Sequence, residues 1–258
     1  MTLARVDDQG DRLVVVNMNS TRRGALSPDL YDAINDAMAR AVDPRIRAVI
    51  LTSEGGFFCA GGDLNVLIER RSLPPGERRS KIDGLHGLIR GIRGCPVPVI
   101  AAVEGGAAGA GASLALACDL IVAAKGANFT ASYVRAGLVP DGGLTSALSR
   151  MLPRALAMEM CLMARPVSAE RMAELGAINA AVPPGTALDE AMALADALAK
   201  GPRDAQSTIR ELVAQAYELT EDAQLDAERD AMALAQGGDE AAEGISAFLE
   251  KRKPDFSK

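Results

Sequence analysis

Pro98-Val-Ile-Ala-Ala-Val103-Glu-Gly-Gly-Ala-Ala-Gly109-Ala-Gly-Ala-Ser113-Leu-Ala-Leu-Ala-Cys118-Asp119 is the stretch around which the chain is organised. A buried strand over residues 99–103 leads into a turn made of Gly and Ala. A small-residue helix follows over about 110–117, then a second strand over 120–123. A turn without bulky side chains lets another molecule approach the backbone closely. A helix starting there presents unpaired N–H groups and the positive end of its dipole. Together these suit an anionic or polarised oxygen.

The same grammar recurs upstream. Residues 48–51 form another buried strand, which runs into Gly55-Gly-Phe-Phe-Cys-Ala60-Gly-Gly-Asp63-Leu64, a second Gly-rich turn. Asp63 is placed to cap a short helix through residue 67. Residues 13–16 read as a strand. Ser27-Pro28 reads as an N-cap followed by proline in the first turn of a helix marked by Leu30, Ile34, Met38 and Ala41. Residues 69–80, with Pro74-Pro75-Gly76, read as an exposed, mobile segment. Ile82, Leu85, Ile89 and Ile92 mark a helix closed by Gly94 and Pro96. This strand–turn–helix alternation predicts a mostly parallel α/β arrangement. Downstream, helices are expected over 144–151, 154–163 and 168–175, and around Leu188–Leu198, Ile209–Ala216 and Ala241–Leu249. Pro183-Pro184-Gly185 is the clearest linker. It divides the chain into a core of residues 1–184 and a helical appendage of residues 185–258, whose apolar faces call for burial against a neighbouring subunit.

Composition narrows the function classes. The chain has 258 residues and is 48% hydrophobic, enough for a sizeable core. A net charge of −6 and 3% aromatic residues argue against a nucleic-acid surface. Cys59, Cys95, Cys118 and Cys161 have no close pairing, which points to core thiols in a reducing compartment and away from disulfides or zinc. No basic-then-apolar leader opens the sequence, so a cytoplasmic location is expected. The apolar run 97–118 is long, but Glu104 and four glycines after it exclude a lipid-facing span. With His86 the single histidine, a Ser–His–Asp or Cys–His triad is unsupported. A dinucleotide loop at Gly109-Ala-Gly111 requires an acid about 20 residues on, where Phe129 stands.

Phe58-Cys-Ala60-Gly-Gly-Asp-Leu64, the stretch 98–119, Gly137-Leu-Val-Pro-Asp141-Gly-Gly and the terminal Glu243-Gly-Ile-Ser-Ala-Phe248-Leu-Glu-Lys251-Arg-Lys-Pro254 together resemble the crotonase (enoyl-CoA hydratase/isomerase) superfamily. The context of Asp141, with residues 223–230, most resembles its ring-1,2-epoxyphenylacetyl-CoA isomerase-like members. The resemblance implies a spiral of repeated ββα units with a C-terminal helical trimerisation region, a homotrimer or homohexamer, and an acyl-CoA thioester as substrate. No cofactor is implied beyond the coenzyme A that the substrate carries. It places two oxyanion donors on the N–H groups of Ala60 and Ala110. It places substrate contacts on Arg23, Ala25, Leu26, Gly61, Gly62, Asp63, Leu64, Gly109, Ser113, Tyr133, Phe248 and Lys251, with residues 65–80 lining the acyl pocket. Arg22 and Arg23, with Lys251, are candidates for the CoA phosphates.

The departures from the family pattern set the expected chemistry. The two glutamates with which similar hydratases add water map to Ser113 and Tyr133, and neither side chain is a carboxylate. A carboxylate stands instead at Asp141, where some family isomerases carry their proton-shuttling acid. Asp is also a favoured helix N-cap, and Gly142-Gly143 could open a helix after it. The expectation is an acyl-CoA isomerase with Asp141 as the shuttle. A hydratase or hydrolase of the same family, or a non-catalytic acyl-CoA-binding protein, remain the alternatives. No role follows for Glu104.

Overall fold

The computed structural model describes residues 2–256. The elements run β1 (Ala4–Asp8), β2 (Arg12–Asn17), α1 (Pro28–Arg40), β3 (Ala48–Ser53), α2 (Leu64–Arg70) and α3 (Pro75–Arg93). β4 (Val99–Val103), β5 (Gly106–Ala108), α4 (Ala110–Ala115), β6 (Leu120–Ala124) and β7 (Asn128–Thr130) follow. A 3-10 turn at Ser132–Ala136 precedes α5 (Leu144–Met151), α6 (Arg154–Met163), β8 (Val167–Ser168), α7 (Ala169–Glu174) and β9 (Ala180–Val182). The chain closes with α8 (Ala187–Ala199), α9 (Arg203–Gln215), α10 (Glu221–Gln236) and α11 (Asp239–Leu249).

The large sheet has the order β1-β2-β3-β4-β6-β9, antiparallel only between β1 and β2. Its central strands are continuous apolar runs such as Val99-Ile-Ala-Ala-Val103, the composition of strands covered on both faces. A small sheet, β5-β7-β8, lies beside it, and Cys59 extends it through a parallel bridge to Ala107. Thus β4 and β6 each hand the chain to a short strand of the second sheet before the next helix. This is the expected spiral of ββα units.

One face of the large sheet packs against α1, α3 and α4 through Leu30, Ile34, Leu88, Ile92 and Leu114. The other face buries Val14, Val16, Ile50, Ile100 and Val122 under Ala187, Ala191 and Ala195 of α8. The helix directly after Pro183-Pro184-Gly185 is therefore a layer of the core and not part of an appendage. Its N-terminus explains Glu104: that carboxylate accepts from Gly185 N and Ala187 N, each at 3.1 Å. It supplies the anionic cap that Thr186 does not. The C-terminal helices are tied on by Arg210, which pairs with Asp119 at 2.8 Å, and by Arg203, which donates to the carbonyls of Ile46 and Ala41 at 3.1 Å. Beyond these ties α9–α11 expose Ile209, Val213, Leu225, Met232, Leu234 and Phe248.

Two expectations change. Residues 69–80 are exposed, as read, but α3 begins at Pro75, because Pro75 occupies the first turn where a missing N–H is harmless. The helix at α10 has no apolar stripe and was not expected. Its Thr220 cap, accepting from Ala223 N at 3.3 Å, and its acidic first turn are the signals that announce it.

Candidate active site

The two Gly-rich turns meet. Ala108 N donates to Cys59 O at 2.9 Å, and a β-carbon built on Gly61 would lie 3.0 Å from the Ala110 nitrogen and 2.7 Å from Ala108 O. Only glycine fits at position 61, where φ is +92°. Gly111 faces the same contact: a β-carbon there would fall 2.7 Å from both the Cys59 carbonyl carbon and its Cβ. Small residues at 60–62 and 109–111 therefore serve this approach. α4 starts at Ala110, so its N–H has no partner within the helix, and it finds none among the described residues.

The other expected donor needs correcting. Ala60 N–H already donates to the Arg23 carbonyl at 3.0 Å. Gly61 N–H points to Cys59 Sγ at 3.4 Å, and Gly61 O accepts from Leu26 N at 2.8 Å. The next amide, that of Gly62, has no partner among the described residues and is exposed; those of Asp63 and Leu64 after it open α2 and are unpartnered as at any helix start. Gly62 adjoins the contact of Gly61 with Ala110, so the free amides that face each other there are those of Gly62 and Ala110, two residues along from the expectation at the first turn. Motif matching could not see the bond to Arg23, which depends on Arg23 adopting the left-handed conformation at φ +52°.

Asp141, Tyr133 and Ser113 come together beside these turns. The Tyr133 hydroxyl donates to Asp141 Oδ1 at 2.8 Å. Ser113 Oγ donates to the Asp141 carbonyl at 3.0 Å and lies 3.4 Å from the Tyr133 oxygen. The Tyr133 ring passes 3.9 Å from where a β-carbon on Gly109 would stand, which sets this tyrosine against the turn before Ala110. Burial, reinforced by the Asp141 charge, pushes the Tyr133 phenol far above its ordinary value. Asp141 is not a cap. α5 begins at Leu144 with Gly143 at the N-cap and no side-chain bond, and only the Asp141 backbone carbonyl accepts from Leu144 N, at 3.2 Å.

The remaining expected residues divide by position. Asp63 caps α2, accepting from Asn65 N at 2.9 Å, and also pairs with Arg22. These bonds, the Asn65 N–H first, hold its carboxyl below the usual range. Arg23 stacks its guanidinium over Phe57 at 4.1 Å. Ala25 is buried behind the first turn and Leu64 is exposed beside it. Phe248 is 83% exposed on α11, with Lys251 just beyond, so this chain alone does not fold them onto the turns. His86 is half-buried on α3. The Cys59 thiol is fully buried, which pushes it up to about 12. Among the described residues no three His, Cys, Asp or Glu side chains converge as metal ligands, and no helix is long and apolar enough to cross a membrane.

Comparison with known proteins agrees with this geometry. The family model for enoyl-CoA hydratase/isomerase matches residues 8–258. The 1,2-epoxyphenylacetyl-CoA isomerase of Escherichia coli K12 is 38% identical over 89% of this chain and 92% of its own. The 2,3-dehydroadipyl-CoA hydratase of the same organism is 32% identical over 95% of this chain and 94% of its own. The crystal structure of an enoyl-CoA hydratase from Polaromonas sp. JS666 superposes with a TM-score of 0.94 at 43% identity, covering 98% of each chain. With two backbone turns converging on unpartnered amides, and a match over nearly its whole length, the chain belongs to the enoyl-CoA hydratase/isomerase family of the crotonase superfamily.

Proposed function

We propose that the chain is an acyl-CoA isomerase that moves a proton through a thioester enolate. The N–H groups of Gly62 and Ala110 receive the thioester oxygen as it gains charge. Each such donor contributes about 3–4 kcal/mol at a preorganised site. The Asp141 carboxylate removes a proton from one carbon and returns it to another. The scheme needs no cofactor beyond the CoA that the substrate carries. The observation that carries the reading is that Asp141's side chain has no structural employment: it caps no helix, and Tyr133 is its one side-chain partner among the described residues. Ser113 and Tyr133 offer hydroxyls where a water-adding site needs a carboxylate. The likeness to 1,2-epoxyphenylacetyl-CoA isomerase supports a ring-bearing acyl group among the substrates. The likeness to hydratases keeps water addition as the competing outcome.

Incubation with trans-3-hexenoyl-CoA, a 2,4-dienoyl-CoA and arylacetyl-CoA esters in deuterated water, read by mass spectrometry, separates these. An isomerase shifts the double bond or exchanges α-protons without gaining the mass of water. A hydratase gains it, and a pure binder does neither. Either of the last two results overturns the proposal.

The exposed apolar residues of α9–α11 support assembly into a homotrimer or homohexamer, with these helices contributing the contact. Sedimentation of a stable monomer at micromolar concentration contradicts this.

A further inference from the structure

We infer that Tyr133 and Ser113 are positioning residues for Asp141: the phenol pins carboxylate oxygen Oδ1, so that Oδ2 is the oxygen that carries the proton. The inference rests on the isomerase reading above. An Asp carboxylate otherwise rotates freely about its last torsion, whose energy wells are broad. A proton shuttle must present one oxygen at hydrogen-bond distance from the carbon-bound proton. Tyr133 supplies the constraint at 2.8 Å from the short turn Ser132–Ala136. Its phenol stays protonated because burial opposes its ionisation and Asp141 adds like charge. Toward Asp141 it therefore acts as a hydrogen-bond donor. Ser113, 2% exposed on α4, fixes the other end by donating to the Asp141 main-chain carbonyl at 3.0 Å. Gly142 makes room for this, since a β-carbon there would lie 2.8 Å from Ser113 Cβ.

The charged and titratable groups around the carboxylate come from each neighbouring element. Tyr31 on α1, its phenol pushed up mainly by burial, lies within electrostatic reach of Arg70 on α2 and of the Asp141 carboxylate. Arg93, at the end of α3, has its guanidinium 3.3 Å from where a β-carbon of Gly143 would stand. Leu85 of α3 closes the side toward Gly142 with apolar surface. Of these groups, Tyr133 alone bonds the carboxylate, so removing its hydroxyl isolates one interaction.

The test uses the full chain. Tyr133→Phe removes the one side-chain donor to the carboxylate among the described residues. On the panel ester turned over fastest, kcat should fall about tenfold or more with KM and Tm little changed, as for a misplaced group. Ser113→Ala should lower kcat with the same split, and it replaces Tyr133→Phe should that variant fail to fold. Wild-type kcat in a folded Tyr133→Phe protein, or a loss that falls on KM with kcat unchanged, overturns the inference. Unchanged kcat in Ser113→Ala does the same for that residue. Wild-type isomerisation by Asp141→Asn would instead overturn the functional reading beneath it, so the two failures are distinguishable.

Discussion

Gly111→Ala tests the contact on which the site is built. The added β-carbon would lie 2.7 Å from the Cys59 carbonyl carbon and from Cys59 Cβ, and nearer still to the carbonyl oxygen. Real β-carbons keep well over 3 Å, and the obstacle is backbone on one side and a buried side chain on the other. Neither turn can rotate out of the way. α4 must therefore move off the first turn by a sizeable part of an ångström. Overpacking of this kind costs about 1–3 kcal/mol. For a chain of this size about 1 kcal/mol corresponds to a shift of about 2–4 °C, so Tm should fall by about 2–12 °C. The loss of activity should be larger than stability explains, because the same displacement separates the Ala110 N–H from that of Gly62. A misplacement of about 1 Å costs on the order of 100-fold in rate. Scanning calorimetry and turnover on the same preparation provide the readout. Gly87→Ala is the control: it lies in α3 with nothing within 4 Å of the new carbon, and should stabilise by about 0.5–1 kcal/mol. A Gly111→Ala protein with wild-type Tm and wild-type turnover would refute the close approach of the two turns.

Two further outcomes are expected. Glu104→Ala removes the anionic cap of α8 and should cost about 1–2 kcal/mol, seen in hydrogen exchange as faster opening of residues 187–199; uniform exchange across the core would contradict the capping role. Of the four cysteines, Cys59, Cys95 and Cys118 are buried and all have thiols pushed up by burial, so a thiol reagent should label only Cys161 in the native protein and all four in denaturant; rapid native labelling at Cys59 would contradict the packing of the first turn.

The parts legible in the sequence are those where one local rule acts alone. β4, α5 and α6 announce themselves by apolar runs, periodicity and bounding proline or glycine. The Ser27 and Asp63 caps follow from residue type and place. The short strands β5 and β7 do not: Gly106-Ala-Ala108 has no strand propensity, and only pairing with Asn128–Thr130 makes it one. α8 reads as a helix, but its role as a core layer depends on small Ala187, Ala191 and Ala195 fitting against the sheet. At the candidate site, motif context points to Asp141 and Ala110 but does not establish their roles. It cannot see that the Ala60 amide is occupied and that of Gly62 is free, because this depends on which amide the Arg23 carbonyl takes. The link from Tyr133 to Asp141 spans a turn that ends in Gly137 at φ +69°, a geometry that residue spacing does not encode.

Asp141→Asn tests the central claim most directly. Asparagine keeps the shape and still accepts a hydrogen bond from Tyr133, but it cannot take up the proton as a carboxylate does. Because the Asp141 side chain caps no helix, the fold should be unaffected. Turnover of the panel ester that the wild-type protein isomerises best should fall by about 10²–10⁴-fold, with acyl-CoA affinity little changed. Wild-type isomerisation by a folded Asp141→Asn protein would contradict the account.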